Sequence, residues 1–352
     1  MPRNQPRKKK ADTSDERLDL QSPLPTIEKL RAQGKAMRTR VPRELHGQWT
    51  LDKKREDILS LIRESNVGRQ ERLIPLRMER MAESPFAFLR GASAVMAYDL
   101  FRTPTTGYNV VLAGDAHISN FGLYGSPQRE LVFDLNDFDE TVMGPWEWDL
   151  KRLTASVNVA GRENGLSARE RRDAVKQAVM GYQQNMKRLE SMGTLDIWYL
   201  HSYPGQASVL RKVPVKAKAV IEKVVAKALG SHNQSLLDKV AAKSAAGHWL
   251  FREEPPILPR VNAGKTKSVI RALEEYSLTL TRERRYMLSR YRVADVAHRV
   301  VGVGSVGTRA YLVLLMGKTD NDPLLLQIKE ASAPAHAPYL PLRRARFQHE
   351  GK

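Results

Sequence analysis

The chain has 352 residues, with 58 Lys and Arg against 39 Asp and Glu, for a formal charge of +19. Cysteine is absent, which excludes a disulfide scaffold, a thiolate zinc site, an iron–sulfur cluster and a cysteine nucleophile. Hydrophobic residues make up 41%, enough for a core, and no apolar run reaches the ~18–20 residues that span a bilayer, so a cytoplasmic globular protein is expected.

Residues 1–45 read as a disordered basic leader with scattered Pro, and no apolar run follows the amino terminus to make it a secretory signal. From Leu51 to Met81, Ile58, Leu61, Ile62, Leu73 and Leu76 recur at helical spacing, with an interruption at Asn66–Gly68. Ser84-Pro85 ends that segment, and the apolar run after it is mostly helical. NVVLA at 109–113 and ELVFDL at 130–135 are compact β-type runs, and each leads into an acidic loop. A capping box at Ser167–Glu170 opens a long helix to about Met192. Further helices are expected near 215–229, 234–246 and 266–290, and β structure returns over 296–331. This order predicts an α+β protein with a helical lobe over 46–295, a small β lobe over 296–331 and an irregular tail over 332–352.

The densest chemical signal is GDAHISN at 114–120, followed by Asp134, Asp137, Asp139 and Glu140. Between Glu130 and Leu150 there are seven acids and no Lys or Arg, an inversion of the chain's overall charge. Carboxylates held close together need a cation or raised pKa values. Hard oxygen donors with an Asn nearby suit Mg²⁺, which takes one or two carboxylates together with substrate phosphates. Asp115 and Asn120 have the D-x-x-x-x-N spacing of a kinase catalytic loop, and Asp137-Phe138-Asp139 stands where the metal-binding D-F-G would stand. Taken singly, Asp115 or Asn120 reads as a turn or capping residue; the strand context and the second acidic cluster favour a metal and phosphate site. His117 either orients Asp115 or shapes the loop, the commoner role of a lone loop His, while Asp137 is the first choice for the metal and Asp139 the second. Asp149, near a helix start, has a dipole explanation.

GVGSVG at 302–307 is a full G-x-G-x-x-G. A Rossmann fingerprint needs a helix directly after it, whereas TRAYLVLL is β-branched and apolar. A strand, a glycine turn and a second strand form the kinase phosphate loop, in which Gly302, Gly304, Ser305 and Gly307 would cover phosphates; an ordinary glycine-rich hairpin is the competing reading. The next strand, LLLQIKE, ends on Lys329, which resembles the lysine that reaches the α- and β-phosphates. Both halves of a kinase-like site are present in reversed order, which predicts a circularly permuted arrangement that brings Lys329 to Asp137.

SPFAFLRGASAVMAYDL, GDAHISNFGLYGSPQRELVFDLNDFDET, GPWEWDLKRLTASV, RVVGVGSVGTRAYLVLL and LLLQIKEA together resemble a bacterial family, domain of unknown function 2252, over about residues 50–350. That resemblance implies a protein-kinase-like, aminoglycoside-phosphotransferase-like fold, ATP and Mg²⁺ as cofactors, and roles for Asp115, Asn120, Asp137, the glycine loop and Lys329. His117, Asp139 and Arg90 carry over only as family-motif positions. Members of the family continue well past the lysine strand, whereas this chain ends twenty-three residues after Lys329. The expectation is therefore a C-terminally truncated β nucleotide lobe and weak or absent turnover.

The leading expectation is a phosphotransferase to a hydroxyl of an unknown small-molecule or protein acceptor. Its rivals are an inactive pseudokinase-type binding or regulatory module and a metal-dependent hydrolase that does not use ATP. The charge of +19 is spread along helical faces, without zinc-finger spacing or an RNP-like strand, so nucleic acid is not expected as the main partner.

Overall fold

The computed structural model describes residues 20–49, 53–204, 215–231 and 233–341. Part of the basic leader, 1–19, and the end of the tail, 342–352, lie outside the described residues. The fold is α+β, and among the described residues no helix is long and apolar enough to cross a membrane.

The chain divides into two units, Met1–Gln48 and Trp49–Lys352. In the first, the structure departs from the expected leader by forming helix α1, Ile27–Arg40. Thr26 caps it by accepting from the Lys29 amide, Glu28 lies in its first turn, and Arg38 and Arg40 lie in its last. Caps and dipole-matched charges carry this helix, since none of its residues is buried.

In the second unit, α2 (Ile58–Glu64), α3 (Ile74–Ala82), α4 (Pro85–Gly91) and α5 (Ser93–Phe101) follow in short succession. Leu61 and Ile62 of α2 pack with Met81 of α3, with Ala92 and with Val95 of α5. Ser84 breaks α3 from α4 and caps α4 through the Ala87 amide. Strand β1 (Asn109–Leu112) pairs antiparallel with β4 (Val142–Pro145), and β2 (Phe121–Gly125) pairs with β3 (Leu131–Leu135). The two long helices α6 (Trp146–Glu163) and α7 (Ala168–Glu190) come next, α7 opening on the expected capping box.

Two helices are shorter than their sequence pattern. The helix Asn233–Val240 gives way to strand β5 (Ala241–Lys243), which pairs with β6 (Trp249–Phe251). Burial explains the change, because Ala241 and Phe251 close over Leu237. The expected 266–290 helix is split into Ala263–Ser277 and Arg282–Ser289. There the Arg285 guanidinium donates to the carbonyls of Ser277, Leu278 and Leu280, which satisfies the orphan acceptors of the first helix end.

The last module is an antiparallel sheet of β7 (Arg292–His298), β8 (Ala310–Met316) and β9 (Pro323–Lys329), with β8 central. Val313, Leu314 and Leu315 are buried in β8, whose central place leaves both faces covered. The glycine loop between β7 and β8 is anchored to the helices. Val303 packs on Leu61 and Met81, and Val306 is fully buried with Leu73 and Val300.

Val306→Ala removes buried methyl groups from that anchor and is expected to cost about 2 kcal/mol. Val67→Ala, at a position 84% exposed, should change stability by less than about 0.5 kcal/mol. Urea denaturation of both variants checks the contrast.

Candidate functional site

The loop after β1 starts at Gly114, whose φ is +77°. A Cβ there would sit 1.9 Å from the Glu140 carbonyl oxygen, so only glycine lets this loop reach the loop after β3. Asp149 of α6 holds the same point by accepting from the amides of Ala113 and Gly114 at 2.7 and 3.0 Å. Asp149 stands in the first turn of α6, as the dipole reading has it, and its carboxylate serves the loop as well.

Asp115 is fixed by Arg152 of α6, a guanidinium that is 1% exposed and binds Asp115 Oδ1. The other end of Arg152 donates to the Leu89 carbonyl of α4 at 2.9 Å. Asp115 Oδ2 lies 3.6 Å from Nε2 of His117. His117 is buried against the edge of Phe86, and burial holds its pKa below the ordinary value, with the nearby charges of Arg152 and Arg90 acting in the same direction and Asp115 opposing them. Asn120 donates its side-chain amide to the Asp115 carbonyl at 2.9 Å, and its own carbonyl accepts from the Asn136 amide at 3.0 Å. The catalytic-type loop and the acidic loop are thereby joined.

Lys329, at the end of β9, reaches this acidic loop. Its Nζ lies 3.1 Å from Asp139 Oδ2 and 3.6 Å from Asp137 Oδ1. Burial opposes its charge, but the two carboxylates outweigh burial and raise its pKa. Burial and the neighbouring Asp139 raise the pKa of Asp137, whose Oδ1 is buried without a hydrogen-bond partner. Among the described residues no three His, Asp or Glu side chains are gathered as a ready metal cage. Asp137, whose Oδ1 faces Lys329 without a hydrogen bond, lies with Asp139 and Asn120 beside the same cleft, an oxygen-donor set that fits a hard cation taking most of its ligands from phosphate and water.

The glycine loop turns its carbonyls toward the helices. Arg69 donates to Gly304 and Val306, Arg80 to Gly302, and the Gln70 amide to Gly307. Among the described residues, the amides of Gly302, Val303, Gly304, Ser305 and Gly307 have no hydrogen-bond partner. Gly302, Gly304 and Ser305 line one cleft of about 130 Å³ with Asp115, His117, Asn120, Asp137, Asp139 and Lys329. Gly307 does not line it; its φ of +91° shapes the turn beside Arg69. A larger chamber of about 430 Å³ adjoins the cleft, sharing Arg69, Ser93, Glu140, Thr308, Glu330 and Ser332 as walls.

Sequence reading missed Arg152, Arg69 and the tail, and it named Glu140 only as one acid of the cluster. The tail residue His336 is 2% exposed, stacks on Trp148 at 4.9 Å and donates from Nε2 to the Gly114 carbonyl at 3.0 Å. The Ala335 amide donates to Glu140 at 2.6 Å. Glu140 and Asp149 both have pKa values raised chiefly by burial. The tail gave no signal for these roles, since its sequence has no strand or helix period.

The model of a family described as uncharacterised protein conserved in bacteria, DUF2252, matches residues 69–352, and the chain belongs to that family. Among curated proteins and solved structures, none matches the chain.

Burial lowers the pKa of His336 to about 4, against an ordinary value of about 6.5. A depressed histidine stabilises the fold above its unfolded pKa, and that contribution is lost as pH falls from 6.5 toward 4. Glu140 and Asp149 have raised values and act with the opposite sign, so wild type is compared with His336→Gln. From pH 7.5 to pH 4.5 the stability difference between the two should move by about 2–3 kcal/mol against wild type, read from urea denaturation at each pH.

Proposed function

We propose that this member of the bacterial family is a kinase-like phosphotransferase that moves the terminal phosphoryl group of ATP to a hydroxyl of a small-molecule or protein acceptor. The observation that carries the reading is the meeting of Lys329 with Asp137 and Asp139, across about 190 residues of chain, in a cleft also lined by Asp115, Asn120 and the glycine loop. The reading includes a kinase-like fold whose two halves are exchanged in chain order. Short surface connections tolerate such exchange, because packing depends on which elements touch rather than on their order.

In this reading Asp115 orients the acceptor hydroxyl and takes its proton. Its Oδ1 is held by Arg152, so the carboxylate cannot rotate away. The acceptor oxygen bonds to the γ-phosphorus as the bond to the β–γ bridging oxygen breaks, and ADP leaves. The free amides of the glycine loop and the Lys329 ammonium would hold phosphate oxygens. Asp137, Asp139 and Asn120 would hold Mg²⁺, which supplies charge neutralisation at the phosphates when bound. Phosphoryl transfer asks little covalent chemistry of a protein, so fixed position and fixed charge are the main contributions here. The adjoining chamber, with Leu61, Val67, Pro338 and Tyr339 in its walls, offers apolar surface for the nucleoside or the acceptor.

ATP with MgCl₂ at about one hundred times its dissociation constant should stabilise the protein by about 2.7 kcal/mol. Lys329→Ala should abolish that gain, and Asp137→Asn should abolish the release of ADP from ATP. Stabilisation without ADP release in the presence of candidate acceptors would favour an inactive nucleotide-binding module. Metal-dependent hydrolysis that survives Lys329→Ala would favour a hydrolase that does not use ATP. Absence of any shift with ATP and MgCl₂ removes the phosphotransferase reading.

A further inference from the structure

Arg90 has no role in the fold that accounts for its charge. It sits in the last turn of α4, where three successive carbonyls are fixed. The Leu89 carbonyl accepts from Arg152 at 2.9 Å and the Gly91 carbonyl from Arg77 at 2.6 Å. The Arg90 carbonyl lies against the glycine loop, 3.1 Å from where a Gly304 Cβ would stand. Its backbone is therefore clamped on both sides, and its side chain lines the same cleft as Asp115, Asp137 and Lys329.

The other cations of this region are engaged. Arg152 binds Asp115, Lys329 lies between Asp137 and Asp139, Arg69 and Arg80 donate to loop carbonyls, and Arg309 binds Glu330. The acids of the cleft are accounted for by the same pairs, with Glu140 held by the Ala335 amide. Arg90 is left over: among the described residues its guanidinium makes no hydrogen bond, and its Nε is buried without a partner. A buried guanidinium atom without an acceptor is costly, and a planar fork of donors beside a loop of free amides is matched by a phosphoryl group.

We propose that Arg90 binds the terminal phosphate of the nucleoside triphosphate, as an arginine supplied by the chain itself to the group being transferred. This deepens the phosphotransferase reading and rests on it. The phosphate selected is the terminal one, because Arg90 shares the cleft with Asp115, the residue that faces the acceptor, and its charge is felt by His117.

The test measures dissociation constants for ATP and for ADP, each with MgCl₂, by titration calorimetry on wild type, Arg90→Ala and Arg90→Lys. Arg90→Ala should weaken ATP binding about ten- to hundredfold while leaving ADP binding within about twofold, as expected for loss of charge-assisted hydrogen bonds to one phosphate. Arg90→Lys should recover part of the ATP affinity. Unchanged ADP binding also reports that the variant is folded. An unaltered ratio of ATP to ADP affinity in Arg90→Ala, or an equal loss of both, overturns the assignment to the terminal phosphate while the phosphotransferase reading stands. Wild type binding neither nucleotide overturns both.

Discussion

The buried guanidinium of Arg152 sets the geometry on which the candidate site depends. It ties together three segments at one point: the end of α4 through Leu89, the loop after β1 through Asp115, and α6, which carries it. A buried ion pair is not a strong source of net stability, because both charges lose water, but removal of either partner leaves an unpaired charge and costs about 3–5 kcal/mol. The pair therefore acts as a selector of one loop conformation. With Asp115 fixed, His117 and Asn120 follow through the short loop hydrogen bonds, and Ser156 of α6 adds a hydroxyl to the Ile118 amide. The acidic loop then follows from Asn120 and from the close approach at Gly114.

The same principle governs the glycine loop, with the polarity reversed. The loop places its carbonyls on Arg69, Arg80 and the Gln70 amide, which fixes its backbone beside the cleft that Gly302, Gly304 and Ser305 line. Val303 and Val306 add apolar anchors on either side of Gly304. The loop is thus oriented before anything binds, which lowers the entropy lost on binding an anion. A glycine-rich hairpin held only by its own strands would lack that orientation. Preorganisation of this kind is what the proposed phosphate role of the loop requires.

Asp115, Asn120, Asp137, the glycine run and Lys329 were legible because each is defined by residue type and local spacing. Where packing rather than pattern decided, the sequence misled. Strand β2 reads FGLYG, and its two glycines hide it; a Cβ at Gly122 would come within 2.7 Å of the end of the Asn136 side chain, which would have to move aside. The helix expected over 234–246 ends at Val240 because burial of Ala241 under Phe251 outweighs its helical propensity. Arg69 and Arg152 were invisible for another reason. An arginine in a polar stretch reads as solvated until its long-range partner is known: Arg152 lies on α6, and Arg69, in the bend after α2, meets its acceptors some 235 residues away. The tail residue His336 belongs to the same class, since its partner Gly114 is 222 residues distant.

The excess positive charge is best understood through these arginines. A count of +19 invites an electrostatic partner, yet several of the cations near the site are spent inside the molecule, on carbonyl oxygens. Arg69 serves three carbonyls, Arg77 one and Arg152 one. A guanidinium suits this task because its fork of donors can satisfy acceptors from more than one segment at once, and it keeps its charge when partly buried. Burial lowers the pKa of Arg77 to about 10, which still leaves it charged at neutral pH. Arginine here substitutes for the backbone amides that a regular sheet or longer helix would have supplied. Leu89 and Gly91 lie in the last turn of α4, so the guanidinium groups of Arg152 and Arg77 serve carbonyls that a short helix leaves without amide partners.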